Sequence, residues 1–228
     1  MPIKEVFDEV HGYITFTELA QRFCDTAEFQ RLTFIKQLGV GSFVFPSADH
    51  SRKAHSFGCY HIARKMAIAL HLKHPDQVSE RDVELIGIGG LLHDVGHGPF
   101  SHMFDRLLEG VSSRTHEERS CAILLRIVSR YGIPVSKEEV KIIQDVINPP
   151  DALNQVWKYQ IVSGVVDADR CDYIVRDSKN VGVVTPFGIH NVHRIINHMS
   201  IEDGSIVFSP KVIRDISELL LARKALHE

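Results

Sequence analysis

The sequence has little of what marks several large protein classes. Its 228 residues contain no run of about 18 apolar residues, and its charged start, Met1 to Glu5, is not that of a signal peptide. Four cysteines are spread along the chain without a CxxC pair: Cys24, Cys59, Cys121 and Cys171. This spacing favours free buried thiols in a reducing compartment. We therefore expect a cytoplasmic or nuclear protein without a membrane span.

The sequence also lacks an excess of charge of one sign. It has 26 lysines and arginines against 29 aspartates and glutamates, a net charge of -3. Nucleic acid is therefore not indicated as a partner, and any phosphate binding has to come from a local basic pocket. With 44% hydrophobic residues and no repeat, linker or low-complexity stretch, residues 1–228 are expected to form a single domain around one sizeable core.

Helix signals dominate the rest of the chain. Capping-box patterns at Ser79, Thr115 and Ser136 each precede an apolar periodic run. Periodicity predicts further helices over 17–23, 27–38, 52–73, 101–109, 155–165, 168–178 and 210–226. Only 201–208, with Asp-Gly between short β-branched runs, predicts a β-hairpin. The predicted fold is mainly α, with a small β-hairpin near the C-terminal end.

The densest group of reactive side chains is the segment HDVGHGPFSH, residues 93–102, which follows the apolar run 83–92. Gly96 and Pro99 break the helix, which places His93 and Asp94 at its end. Because neighbouring helical side chains diverge by about 100°, the two residues can share a metal beyond the helix end or bind two metals. The composition predicts a metallo-hydrolase. It does not fit an HExxH zinc protease, which needs a glutamate and an unbroken helix.

Two distant segments offer further ligands. His55 lies in the first turn of the predicted helix 52–73, with Arg52 just ahead of it. Asp169, Tyr173 and Asp177 recur at four-residue intervals and share one face of the predicted helix 168–178. Such a stripe is also typical of a solvated, salt-bridged helix face. Its apolar lead-in, residues 161–166, favours the interpretation that it begins inside the fold.

Together these residues resemble a known family. His55, then His93-Asp94, then Asp169 reproduce the H…HD…D signature of the HD-domain phosphohydrolases. The longer block 93–105 and the motifs at 29–32, 35–39, 44–46 and 115–117 are similar to those of the deoxynucleoside triphosphate triphosphohydrolases that carry a SAM domain ahead of the HD domain. The similarity extends from about Lys4 to His227. It implies an HD-domain helical fold over residues 1–228, without a SAM domain.

The resemblance implies a metal site of imidazoles and carboxylates: His55, His93, Asp94 and Asp169. These ligand types suit Fe, Zn or Mn better than Ca, and Mg²⁺ is expected on the substrate phosphates. A bound metal lowers the pKa of its water, which then serves as the nucleophile. His102 is the predicted general acid for the leaving oxygen, oriented by Asp105. His97 and His116 are predicted as further acid/base or phosphate-contacting groups.

The family's reaction, attack at the α-phosphorus of a dNTP, releases a deoxynucleoside and inorganic triphosphate. The resemblance implies two groups of substrate-binding residues. Gln37 and Leu38 match positions near the sugar and base. The positions matching triphosphate and sugar contacts are Arg52, Arg170, Tyr173, Asp177 and Arg223. Guanidiniums bind phosphate bidentately, and an aromatic ring under deoxyribose leaves no space for a 2′-hydroxyl. Arg170 departs from the family pattern, which has lysine.

Regulation is the largest expected departure from the family. Members of the family form tetramers when a guanine nucleotide, GTP or dGTP, fills a regulatory site. The residues that match this site here are Lys4, Asp25 and Gln30. Thr33 stands where the family has an arginine. Losing one charge-assisted hydrogen bond costs about 1.5–3 kcal/mol. The sequence also stops within a predicted apolar helix, residues 219–228, where family members continue. This ending is expected either of a compact variant or of a C-terminally truncated chain. We therefore expect a homo-oligomer, such as a dimer, with weak activation by GTP.

Two alternatives to dNTP hydrolysis remain open. One is an HD-domain phosphohydrolase acting on another nucleotide, such as a monophosphate, a cyclic nucleotide or an oligonucleotide. The other is a catalytically weak HD domain that senses nucleotides or binds a partner. The products formed from dGTP distinguish these possibilities.

Overall fold

The computed structural model describes residues 4–101, 103–104, 114–153 and 155–227, and it is mainly α, as the sequence predicts. In chain order, its helices are α1 Glu18–Cys24, α2 Ala27–Gln30, α3 Arg52–Lys73, α4 Glu80–Leu92, α5 His116–Tyr131, α6 Lys137–Ile147, α7 Trp157–Ser163, α8 Ala168–Val181, α9 Ile189–Asn197 and α10 Ile213–His227. Short 3₁₀ helices occupy Arg31–Phe34, Gly39–Phe43, Asp151–Leu153 and Pro210–Val212.

The three predicted capping boxes are confirmed at the starts of α4, α5 and α6. Ser79, Thr115 and Ser136 each accept a backbone N–H three residues on, and the acidic residue there accepts the N–H of the cap. Two orphan donors are thereby satisfied at each helix start. Gly132 and Gly182 end α5 and α8 in the left-handed conformation, which glycine adopts without steric cost.

The predicted hairpin is confirmed as β3 (Met199–Glu202) and β4 (Ser205–Phe208), which pair antiparallel across Asp203-Gly204. The expectation of a single hairpin is wrong. The structure has a second one, β1 (Lys4–Asp8) and β2 (Gly12–Phe16), at the other end of the chain. Its inward face is short: Ile14 and Phe16 are buried while Tyr13 is exposed. Because so few inward-facing residues are apolar, the alternation of apolar and polar residues that would predict these strands is weak.

The predicted helix over 27–38 is also wrong in its length. The α-helix α2 ends at Gln30, a 3₁₀ turn follows, and Ile35 is extended with φ -104° and ψ 114°. The carbonyl of Ile35 accepts the N–H of Arg52 at 2.8 Å, and Lys36 forms a β-bridge with Ser51. These contacts tie the segment to the start of α3. The predicted helix 101–109 falls mostly on residues outside the described ranges.

Helices α3 and α4 lie at the centre of the fold. One buried cluster joins them to α7, α8, α9, α10 and β3, and includes Ile62, Met66 and Leu70 of α3. The other cluster joins them to β2, α1, α5 and α6, and includes Tyr60 and Leu91. Because both faces of this helix pair are covered, the start of α3 and the end of α4 lie inside the protein. Within the described residues, no helix is long and apolar enough to cross a bilayer.

Candidate metal centre

The four predicted metal ligands meet where three helix ends converge. His55 lies in the first turn of α3, Asp169 in the first turn of α8, and His93 and Asp94 follow the last residue of α4. The Nε2 atom of His55 lies 3.0 Å from Asp169 Oδ1 and 3.6 Å from Asp94 Oδ2. The Nε2 atom of His93 lies 3.4 Å from Asp94 Oδ1 and 3.7 Å from Asp169 Oδ1. The helix end predicted at His93-Asp94 is therefore confirmed.

Both imidazoles present Nε2 to the centre because Nδ1 is bound elsewhere. His55 Nδ1 lies 2.8 Å from Asp172 Oδ2, and His93 Nδ1 lies 2.8 Å from the carbonyl of Gly90. His93 Nε2 is buried and has no hydrogen-bond partner among the described residues. A histidine held through one nitrogen by a carboxylate or carbonyl, with the other directed at shared oxygens, has the orientation of a metal ligand. The residues present therefore fit a transition metal.

The charges at the centre also favour a cation. Burial opposes ionisation of Asp94, but Arg52, His93 and His97 outweigh it and hold the pKa of Asp94 well below its usual value. Burial likewise opposes ionisation of Asp169, but the nearby imidazoles of His55 and His93 outweigh it and lower the pKa of Asp169. Two ionised carboxylates thus face two imidazoles inside the protein, where a metal ion would offset their charge.

Cys59 belongs to the same group of side chains, and sequence reasoning missed it. Ligand atoms of His55, Cys59, His93 and Asp169 all lie within 4.8 Å of one another. The Sγ atom of Cys59 is 3.4 Å from Nε2 and 3.6 Å from Nδ1 of His55, so it lies against the imidazole ring. Its position four residues after His55 on α3 was the signal available in the sequence.

A second group of possible ligands contains Asp94, which also lies near His55 and His93 of the first group. Asp94 Oδ1 lies 3.4 Å from His97 Nε2, and the rings of His97 and His116 stack with centroids 4.1 Å apart. Ligand atoms of Asp94, His97 and His116 lie within 4.8 Å of one another. Burial lowers the pKa of His97 to about 4, although Asp94 opposes this shift. His97 is therefore neutral near pH 7.

The turn that carries these residues is fixed by polar side chains from other elements. Ser120 Oγ donates to the carbonyl of His93 at 2.6 Å and accepts the N–H of Gly96 at 2.8 Å. Arg31 donates to the carbonyls of Val95 and His97. A Cβ at Gly96 would lie 2.1 Å from the carbonyl oxygen of His116. Only glycine allows α5 to approach this turn so closely.

A pocket of about 380 Å³ lies against both groups, bordered by Asp94, His97, His116 and Asp169. All of the predicted substrate-binding residues line it: Gln37, Leu38, Arg52, Arg170, Tyr173, Asp177 and Arg223. They come from the segment after α2, from α3, from α8 and from α10. The structure therefore brings together residues that are far apart in the chain, while their individual roles stay predictions.

Several lining residues are held by neighbours. Arg52 donates to Asp94, and its Nε donates to Ser101 Oγ at 2.8 Å. The guanidinium of Arg170 contacts the Asp167 carboxylate and the carbonyl of Gly164. His50 Nε2 lies 2.7 Å from Asp177 Oδ1, with both side chains buried. In contrast, Gln37 Oε1 is buried without a hydrogen-bond partner among the described residues.

The remaining predicted residues lie away from this pocket or outside the described ranges. His102 and Asp105, the predicted general acid and its partner, lie outside the described residues. The predicted regulatory residues are neighbours: Lys4 Nζ pairs with Asp25 Oδ1 at 2.7 Å, and Gln30 Nε2 donates to the carbonyl of Cys24 at 2.7 Å. Thr33 is exposed. Whether these residues bind a nucleotide stays a prediction.

Comparisons with known proteins show the family of this chain. Residues 52–176 match the family described as HD domain. An HD domain-containing protein of Acanthamoeba polyphaga mimivirus is 37% identical over 240 residues, covering 96% of this chain and 52% of the relative. The deoxynucleoside triphosphate triphosphohydrolase SAMHD1 homolog of Dictyostelium discoideum is 35% identical over 234 residues, covering 99% and 45%. SAMHD1 of Homo sapiens is 33% identical over 256 residues, covering 99% and 41%.

These relatives are longer proteins. The chain spans about half the length of the curated relatives it matches. The matched family region, 52–176, contains all four predicted metal ligands, and the similarity beyond it includes the pocket residues Gln37, Leu38 and Arg223.

Proposed function

This chain belongs to the HD-domain family, and we propose that it is a metal-dependent phosphohydrolase that converts deoxynucleoside triphosphates to a deoxynucleoside and inorganic triphosphate. One observation carries the proposal: a single pocket joins the metal-ligand group to three arginines and to a tyrosine and an aspartate on one face of α8. The names of the similar SAMHD1 proteins support the choice of substrate. A pocket with cations at the metal end and an aromatic ring beside it suits a nucleotide.

His55, His93, Asp94 and Asp169 would hold a transition metal, and the mixed imidazole and carboxylate donors suit Fe, Zn or Mn. When bound, the metal would stabilise charge on the phosphoryl oxygens and lower the pKa of a water molecule. Mg²⁺ would accompany the substrate phosphates, with the Asp94 carboxylate as its oxygen ligand from this chain.

The triphosphate would be bound by the guanidiniums that line the pocket. Arg52 is buried and fixed by Asp94 and Ser101, so it would orient phosphate without losing much side-chain entropy on binding. Arg170 and Arg223 approach from α8 and α10. Because the whole protein carries a net charge of -3, this local group of cations would have to attract the polyanionic substrate.

The sugar would lie over Tyr173, with Asp177 and Gln37 as its polar contacts. The pairing with His50 holds the Asp177 carboxylate in place, and the unpartnered Oε1 of Gln37 would accept a hydrogen bond from a sugar hydroxyl. Leu38 would pack near the base. Deoxyribose would fit against the Tyr173 ring, which would leave no space for a 2′-hydroxyl.

Cleavage requires a proton for the oxygen of the leaving deoxynucleoside. His97 is a poor donor near pH 7 because burial lowers its pKa to about 4. We therefore keep His102, oriented by Asp105, as the proposed general acid. His97 and His116 would act as proton acceptors or phosphate contacts.

The test removes one ligand and measures two quantities. His93→Ala and Asp94→Ala should each lose bound transition metal, measured by elemental analysis, together with dGTP turnover. The control is His190→Ala, since His190 is exposed on α9, and it should retain both. Normal metal content in the two ligand variants would contradict the proposed site.

A further inference from the structure

The carboxylate of Asp172 lies behind the metal ligand His55 and is fully buried. Its Oδ2 accepts from His55 Nδ1 at 2.8 Å and from Arg176 Nε at 2.8 Å. Its Oδ1 lies 2.6 Å from His11 Nε2 and accepts from Arg176 Nη2 at 2.9 Å. An ionised carboxylate has about four acceptor sites. All of them are used, and His11 and His55 share the same acceptor group.

His11 reaches Asp172 from the loop between β1 and β2, and that loop is itself fixed. Asp8 Oδ1 accepts the backbone N–H groups of Val10 and His11 at 2.9 and 3.0 Å. Asp8 also pairs with Arg176 Nη1 at 2.9 Å and Nη2 at 3.1 Å. Arg176 therefore bridges the hairpin and Asp172 inside the protein. Asp8 and Asp172 together place two carboxylates against the single guanidinium of Arg176, and His11 adds a further donor to this buried group.

We propose that the N-terminal hairpin is part of the outer shell of the metal centre and that His11 is a positioning residue for the metal ligand His55. By donating to Oδ1, His11 fixes the rotation of the Asp172 carboxylate, which leaves Oδ2 aligned with His55 Nδ1. That hydrogen bond keeps the proton of His55 on Nδ1, so Nε2 presents its lone pair to the metal. The inference rests on the metal site of the proposed function and concerns metal affinity rather than substrate.

The geometry separates this role from ordinary packing. The side chain of His11 is 1% exposed and that of Asp172 is 0% exposed, so water cannot readily replace the lost donor. Without His11, one oxygen of Asp172 depends on Arg176 alone, and the carboxylate gains freedom to turn away from His55. Removing such outer-shell partners lowers metal affinity about 10- to 100-fold.

The test compares two substitutions at His11. His11→Leu removes the donor and keeps much of the volume, whereas His11→Gln places an amide N–H at a similar reach. The matched control is His74→Leu at the other end of α3, where His74 Nε2 bonds with Ser200 and Ile201. Affinity for Mn²⁺ and for Co²⁺ is measured on the full chain by chelator competition, and the visible absorption of bound Co²⁺ reports the ligand geometry.

We expect His11→Leu to bind both ions about 10- to 100-fold more weakly with an altered Co²⁺ spectrum, and His11→Gln to recover most of the affinity. His74→Leu should lose stability and keep wild-type affinity. If His11→Leu does not fold, His11→Asn replaces it, because its shorter side chain keeps an amide that falls short of Asp172.

The inference would be overturned if the variants without the donor kept the wild-type metal affinity and Co²⁺ spectrum. It would also be overturned if His74→Leu lost as much metal affinity as His11→Leu, or if the wild-type protein bound neither ion. Failure of the proposed function is distinguishable. A wild-type protein that binds metal, shows the His11 effect and leaves dGTP intact would support the role of His11 and contradict dNTP hydrolysis.

Discussion

Gly58 faces Asp172 so closely that a Cβ at Gly58 would lie 1.8 Å from Asp172 Oδ1. Gly58 lies one turn after His55 on α3, and the missing side chain leaves the space in which the Asp172 carboxylate reaches His55 Nδ1. The Asp172 carboxylate therefore both contacts the metal ligand His55 and requires a residue without a side chain at position 58.

Gly58→Ala should therefore be destabilising and should weaken metal binding. Helix propensity alone would stabilise the variant by about 1 kcal/mol, but the clash has no flexible partner and should cost about 1–3 kcal/mol or more. Urea unfolding and chelator competition measure the two effects. Gly87→Ala is the control, since its Cβ would meet the side chain of Arg64 and should change stability but not metal affinity. A more stable Gly58→Ala with normal metal binding would contradict this packing.

The stability of the protein should depend on His61 below neutral pH. Burial, with the charges of Lys65 and His11, lowers the pKa of His61 to about 3, whereas an unfolded histidine titrates near about 6.5. The unfolded state therefore binds the proton more tightly. The contribution of His61 is fully present above about pH 6.5 and is lost as the pH falls toward the folded value.

His61→Gln removes this titration. From pH 7 to pH 5, the variant should gain about 1 kcal/mol in free energy of unfolding relative to the wild type, a value reduced from about 2 kcal/mol because the ring is only partly buried. Urea unfolding of both proteins in chelator at the two pH values measures the difference. If the difference in free energy of unfolding between the two proteins were the same at pH 7 and pH 5, His61 would not titrate as its surroundings imply.

Sugar selection should depend on the ring of Tyr173. The wild type should hydrolyse dGTP and largely spare GTP, and Tyr173→Ala should lower the ratio of the two kcat/KM values by about tenfold or more, because removing the ring opens space for a 2′-hydroxyl. Tyr173→Phe keeps the ring and should keep the ratio. Equal kcat/KM for GTP and dGTP in the wild type would instead favour a broader phosphohydrolase.

GTP should have little effect on the wild type, because Thr33 cannot supply the charge-assisted hydrogen bond of the arginine that the family resemblance leads us to expect there, which is worth about 1.5–3 kcal/mol. At sub-millimolar GTP we expect no tetramer by sedimentation velocity and little stimulation of dATP hydrolysis. Thr33→Arg should strengthen the response about ten- to a hundredfold in GTP concentration. A GTP-dependent tetramer of the wild type, with a matching rise in rate, would show that Thr33 does not weaken the site.

The sequence was most informative where local patterns and motifs carry the structure. Periodicity places α3 at 52–73, as observed, and the broken helix after Leu92 places His93 and Asp94 at a helix end. The partnership of His11 with Asp172 could not be predicted, because the two residues are 161 positions apart and the hairpin that joins them has a weak apolar alternation. Long-range polar contacts depend on the assembled fold rather than on any local period.

If this metal centre cleaves a dNTP at the α-phosphorus, the products formed from dGTP will identify the bond that is broken. The metal-loaded protein is incubated with dGTP, and the products are separated by anion-exchange and reversed-phase chromatography, with Asp94→Ala as the inactive control. We expect deoxyguanosine and intact inorganic triphosphate in equal amounts. Release of dGMP with pyrophosphate, of dGDP with phosphate, or of no product by the metal-loaded wild type would contradict this expectation.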